Sequence, residues 1–336
     1  MGDLKIFELS AILETEGRIS KDFFKGEVQL SPHCILMVGS YPRNRPEVML
    51  AGSFLIIKVY VQHYECKEAL IPALEHLESV LTALMLHFNF IVIADAVTDM
   101  VKEVPSCPEG IRPIAGNKLR ECFRWEPRRS NLAMPPESRY GFTPYSEKDI
   151  AAVKGDISTL AFKIQSCKTH IDSLLNSYKM GIRLRQYFPN EAFLDFYKVI
   201  EFCINNIFTE EFTKSKVEKL IAKLGELEIR INLPKRVLEG IRQEIAKLSK
   251  TIEKSSSPRQ VIQFVIDKTR FFDTVSSELW IRNKSLFTFD YGNLPTQRSK
   301  ISAHPSSEYE EIHPTSIEAC QLLARHLLLF LLKNST

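Results

Sequence analysis

Hydrophobic positions change rhythm along the chain. Residues 53–62 (SFLIIKVYVQ) are dense in β-branched and aromatic side chains and predict a strand. Across 66–87, Leu70, Ala73, Leu74, Leu77, Leu81, Leu84 and Met85 recur at helical spacing, and 88–94 (FNFIVIA) predicts a second strand. This strand, helix, strand order implies a small α/β or α+β domain over residues 1–104. Seven of the 17 prolines then fall between Pro105 and Pro144. Proline lacks a backbone N–H and fixes φ, so residues 105–144 are expected to form a connector without long helices or central strands.

After Tyr145 the pattern is helical. Ile150, Val153, Ile157, Leu160, Ile164, Cys167, Ile171, Leu174 and Tyr178 alternate spacings of three and four, the apolar seam of a long heptad helix. The same spacing returns in Val217, Leu220, Leu224, Leu227 and Ile231, and after Pro234 in Leu238, Ile241, Ile245, Leu248 and Ile252. These two runs predict an antiparallel helical hairpin turning near residues 232–234. Phe193, Tyr197, Ile200, Ile204 and Ile207 mark a helix over 190–208. Ser257 as N-cap with Pro258 at the first position opens another, expected to run to about Arg282. Thr315 with Glu318 reads as a capping box ahead of the apolar helix 317–333. Residues 283–314 have no clear helical core, although 285–291 suits a short extended piece. A segment of that length is the natural place to look for function. The fold class expected is α+β, with helical residues 145–336 following the N-terminal α/β domain.

Composition narrows the class more than the chemistry. With 44% hydrophobic and 25% charged residues the chain reads as globular, and 44 Lys+Arg against 41 Asp+Glu leave a net charge of +3. Nucleic acid must therefore be held by a local patch, not by the whole surface. Seven cysteines without a CxxC pair point to reduced, mostly buried thiols and a cytoplasmic setting. The first residues lack the basic and apolar regions of a secretory signal, and the apolar run 327–332 is shorter than the ~20 residues of a membrane span, so no membrane association is expected.

Phosphate-binding loops of the GxxxxGK[ST] or GxGxxG type, HExxH and GxSxG are absent from the sequence. His63 and Cys66 form an HxxC without a matching second pair, so neither a metal nor another cofactor is expected. The informative stretch is Gln297-Arg298-Ser299-Lys300-Ile301-Ser302-Ala303-His304, just ahead of the C-terminal helix. Arg298 followed by His304 resembles the Arg-x(4 to 6)-His signature of the HEPN superfamily (higher eukaryotes and prokaryotes nucleotide-binding domain). Residues 193–202 (FLDFYKVIEF) look like the aromatic-rich FYxxIE first helix of bacterial HEPN proteins related to anti-phage defence. The resemblance covers about residues 187–336 and leaves 1–150 and the long heptad helix unexplained.

The resemblance implies an all-α HEPN-like bundle and metal-independent cleavage of RNA, in which the ribose 2′-OH attacks the adjacent phosphate. Carried over by position, His304 is the acid or base and Arg298 the clamp on the phosphorane oxygens; an imidazole titrating near neutrality and a permanently charged guanidinium suit those tasks. Ser299 stands where the family often has Asn or another polar residue. Glu201, a carboxylate on the flank of an apolar helix face, either orients Arg298 or His304 or pairs with a surface lysine. Lys300 adds a cation for RNA. The resemblance further implies a homodimer and an antitoxin or other defence partner. A second basic patch, Lys118, Arg120, Arg124, Trp125, Arg128 and Arg129, interleaves cations with aromatics as single-stranded or tRNA-like RNA binding requires, or is simply a solvated loop. Lys179, Arg183 and Arg185 form a smaller cluster. The rival readings are a non-catalytic HEPN protein that binds RNA or a partner, and a structural adaptor using its heptad helices.

Overall fold

The computed structural model describes residues 3–15, 28–39, 54–88, 92–95, 101–115, 147–166, 169–185, 187–231, 234–255, 257–276, 284–303 and 312–334. The fold is α+β, an N-terminal antiparallel sheet region followed by helices. It divides into two compact units, residues 1–175 with 331–336, and residues 176–330.

The first unit carries strands β1 (Lys5–Thr15), β2 (Val28–Ser31), β3 (Cys34–Gly39), β4 (Phe54–His63), β5 (Val92–Asp95), β6 (Val101–Val104) and β7 (Ile114–Ala115). They lie in the order β2-β3-β4-β1-β5, with β6 also paired to β1 and β7 parallel to β4. All other pairings are antiparallel, so the N-terminal region is α+β and not a parallel α/β sheet. Alternation explains the layering. Phe7, Leu9 and Ala11 of β1 stand opposite Val61, Val59 and Ile57 of β4, and all are buried. Helix α1 (Cys66–Phe88) packs on these strands with Ala73, Leu74, Leu77, Val80, Leu81 and Leu84 inward. Pro72 lies inside the second turn of α1, where it forgoes a helical hydrogen bond to the Glu68 carbonyl.

The opposite parity carries a different set. Glu8 sits between Tyr60 and Lys102 across the ladder and is nearly buried. The Tyr60 hydroxyl donates to it at 2.9 Å, and Lys58 and Lys102 each approach to 3.3 Å. Burial alone would raise this carboxyl, but the Tyr60 bond and the two ammonium groups outweigh it and hold Glu8 below its ordinary range.

Helix α2 (Glu147–Ser166) packs on α1 and β2, and α3 (Thr169–Leu184) follows it. The seam predicted as one long helix is thus carried by these two elements, with Ile157, Leu160, Ile164, Ile171, Leu174 and Tyr178 buried. The α1 segment and the apolar C-terminal helix α10 (Pro314–Asn334) are long and apolar enough to cross a membrane, yet 72% of each apolar window is buried inside the fold, as in a core helix.

In the second unit, α4 (Pro189–Cys203) passes into α5 (Thr209–Ile231) through a π-helical turn at Ile204–Phe208. Thr209 Oγ1 donates to the Ile204 carbonyl at 2.7 Å, satisfying an acceptor within the widened turn. Pro234 separates α5 from α6 (Lys235–Ser255), and the two pack as the predicted hairpin. Its seam is only partly covered: Leu238 is buried but Leu220 is exposed.

Helix α7 (Pro258–Lys268) begins as expected, the Ser257 hydroxyl accepting from the Gln260 N–H. It ends much earlier than predicted, because Arg270 adopts φ 51° and breaks the helical path before α8 (Phe271–Ser276). The predicted capping box is also displaced. Pro314 occupies the first turn of α10, and His313, not Thr315, caps it, its Nδ1 accepting from the Thr315 N–H. Most α10 side chains from Ile317 to Leu332 are buried within this chain.

Candidate functional site

The segment 283–314 contains more structure than the sequence suggested. Short 3₁₀ turns at Lys284–Phe287 and Tyr291–Asn293 lead into helix α9 (Leu294–Ala303), and Arg298, Ser299 and Lys300 lie on that helix instead of in a loop. Its apolar signal is faint because Leu294 is the fully buried anchor while Thr296, Ser299 and Lys300 face solvent.

The start of α9 is fixed by its surroundings. Tyr291 is buried with edge-on ring contacts to Phe271, Phe272 and Phe289, and its hydroxyl donates to the Leu286 carbonyl at 3.1 Å. Asp290 accepts from the Gly292 N–H at 3.0 Å and pairs with Arg259 of α7 at 2.7 Å. The Arg259 stem crosses directly over Gly292, where a Cβ would lie 2.6 Å from Arg259 Cγ. A glycine is required here for close approach. None of this appears in the local sequence pattern, since Arg259 and Asp290 belong to different elements.

Helix α4 supplies the other side. Ala192, Phe193, Phe196, Tyr197, Val199 and Ile200 bury one face, which places Glu201 at its edge. Arg298 Nη2 lies 3.8 Å from Glu201 Oε1, with both side chains 42% exposed. That distance makes an ion pair too long for a hydrogen bond, so both groups keep hydrogen-bonding capacity for a ligand. Of the partners expected for Glu201, Arg298, His304 or a surface lysine, the described residues show the ion pair with Arg298.

Tyr197, one turn before Glu201, completes the cluster and is a residue that sequence reasoning did not single out. Burial first, and then the Glu201 charge, push its hydroxyl up to about 12, with Arg298 acting in the opposite direction. It therefore stays a neutral phenol, able to donate. Behind it, burial holds the Cys320 thiol well above its ordinary range, and Sγ donates to the Phe193 carbonyl at 3.7 Å. Cys320 is a packed thiol, not a nucleophile.

The remaining candidates are placed less favourably. Ser299 Oγ donates to the Pro295 carbonyl one turn back at 3.0 Å, so its proton is committed to its own helix. Lys300 is exposed on α9. His304 follows the last residue of α9 and lies outside the described residues, as do Arg124, Trp125 and Arg128. Ile312, on the far side of residues 304–311, donates its N–H to Asn190 Oδ1 at 3.2 Å. Among the described residues no cluster of three or more His, Cys, Asp or Glu could hold a metal ion.

Compared with protein-family models, curated proteins and solved structures, the chain gives no significant match in any of the three.

Proposed function

We propose that this protein is a metal-independent endoribonuclease of the HEPN type. The observation that supports the reading is the meeting of Arg298 and Glu201, from helices far apart in sequence, at 3.8 Å on a half-exposed edge. An isolated exposed ion pair contributes little to stability, typically ~0.2–1 kcal/mol, so folding gains little from this arrangement. A ligand phosphate bound by Arg298 gains more: the guanidinium supplies a planar, permanently charged donor fork, and Glu201, which does not itself bind the anion, orients that fork.

In this reading His304 takes the proton from the ribose 2′-OH, and the resulting alkoxide attacks the adjacent phosphorus. Arg298 stabilises the charge on the non-bridging oxygens as the bond to the 5′-oxygen breaks. The 5′-oxygen leaves as a hydroxyl after accepting a proton, and the other product carries a 2′,3′-cyclic phosphate. No redox partner is needed. The setting proposed is a bacterial defence or toxin system, with two copies of the chain juxtaposing their motifs. Burial of the α10 apolar side chains within the chain means that such a dimer would use other surfaces.

A second reading, RNA binding without cleavage, is favoured by the commitment of the Ser299 proton to Pro295. Incubation of RNA in EDTA with the parent protein, Arg298→Ala and His304→Ala separates the two. The nuclease reading expects cleavage by the parent and at least about a hundredfold loss in either variant. Equal cleavage by all three proteins, or none by the parent, overturns it.

A further inference from the structure

The corner between α3 and α4 presents two consecutive aromatic residues to solvent, Tyr187 at 48% and Phe188 at 55% exposure. Both are held on ordered backbone. The N–H groups of Tyr187 and Phe188 both donate to the Leu184 carbonyl, at 3.0 and 2.7 Å, and Arg185 N–H donates to the Gly181 carbonyl.

Phe188 is also an unusual choice for its place. It is the N-cap of α4, with φ −136° and ψ 69°, and supplies no side-chain cap. Ser, Thr, Asp or Asn there would accept from an exposed N–H and stabilise the helix. Neither burial nor capping accounts for a phenyl ring at this position.

Charge at the corner favours one kind of occupant. Lys179 and Arg183 stand one turn apart on α3, a step of about 5–6 Å, and Tyr187 follows shortly after the helix ends. Arg185 adds a third cation, its guanidinium also donating to Gln321 Oε1 at 2.8 Å.

We propose that Tyr187 and Phe188 form a stacking platform for unpaired RNA bases, with Lys179 and Arg183 engaging the adjoining phosphates. Aromatic faces accept any base, and cations track the backbone, so the surface binds single strands and disfavours duplexes whose bases are already stacked. The inference rests on the RNA reading above and names its substrate class: strands unpaired near the cleavage point. Helix α4 runs from this corner to Glu201 over about 20 Å at ~1.5 Å per residue, a distance that a few nucleotides cover.

The test is fluorescence anisotropy in EDTA with a short fluorescein-labelled poly(U) strand and a poly(A)·poly(U) duplex. The parent should prefer poly(U), and the double variant Tyr187→Ala/Phe188→Ala should bind it at least about tenfold more weakly. The ring-preserving variant Tyr187→Phe/Phe188→Tyr should bind like the parent, which separates lost stacking from a disturbed corner. Lys179→Ala/Arg183→Ala should weaken binding and flatten its dependence on salt. The platform is overturned if the parent does not bind poly(U), or if the double alanine variant binds it equally well. It is also overturned if that variant instead loses self-association or binding to phosphatidylserine vesicles. A failed nuclease reading looks different, as poly(U) binding that depends on the rings without any cleavage.

Discussion

Acidification should weaken the first unit through His76, a residue of α1 whose side chain is buried against two other elements. Its Nε2 lies 2.7 Å from Ser31 Oγ at the end of β2, and its Nδ1 lies 2.7 Å from Gln165 Nε2 on α2. In the neutral tautomer that fits, Gln165 donates to Nδ1 and Nε2–H donates to Ser31 Oγ, which also accepts from the His33 N–H at 3.1 Å. The His33 ring stands edge-on with its centroid 5.4 Å away. Burial chiefly, and then the His33 charge, push His76 down to about 4. The folded pKa is therefore below the unfolded value of 6.5. Above pH 6.5 neither state is protonated and nothing is lost. As pH falls towards 4 the unfolded chain takes up a proton that the fold resists, which costs up to about 3 kcal/mol at ~1.4 kcal/mol per pH unit. Urea unfolding at several pH values, for the parent and for His76→Gln, measures this. Subtracting the two curves removes shared contributions such as Glu8, which is held low and begins to lose its stabilisation as pH falls through the ordinary carboxylate range. Parallel curves for the two proteins between pH 6.5 and 4 would refute the reasoning.

Two further outcomes follow from local geometry. Gly181→Ala should lower stability by about 1–3 kcal/mol despite the better helix propensity of alanine, because a Cβ there lies 2.6 Å from the Phe196 ring; a thermal melt that rises instead would show that the ring moves freely. Arg270→Gly should raise stability by about 0.5–1 kcal/mol by relieving the left-handed φ of 51°, and a loss on substitution would mean that the arginine side chain carries more than the strain costs.

The legible parts of this fold were those coded over short distances. Ser257 and Pro258 announce the start of α7 because a cap is a local interaction, and the apolar spacing from Leu70 to Met85 announces α1 because its buried face is wide. Strand β1 was missed because Ile6 blurs the alternation of Phe7, Leu9 and Ala11, lying with Val104 and Cys107 around a second apolar cluster on the opposite parity. Helix α9 was missed for the opposite reason: with so few buried apolar side chains it has little period to read, and tertiary contacts from Arg259 and Tyr291 set its start. The early end of α7 depends on the conformation of Arg270, a residue that does not advertise a left-handed turn as glycine would. At the candidate site, Arg298 and Glu201 were visible as residue types in suggestive surroundings. Their proximity was not, since it depends on how α9 packs on α4. Tyr197 was read only as part of an apolar face, and the Ser31–His76–Gln165 network joins three elements with no common motif.

The chemistry of the RNA ends tests the central claim most directly. Mass spectrometry of fragments formed in EDTA should find 2′,3′-cyclic phosphate on one side of the cut and 5′-hydroxyl on the other, with both ends absent when Arg298→Ala replaces the parent. Intact RNA with the parent, or fragments bearing 5′-phosphate, would contradict it.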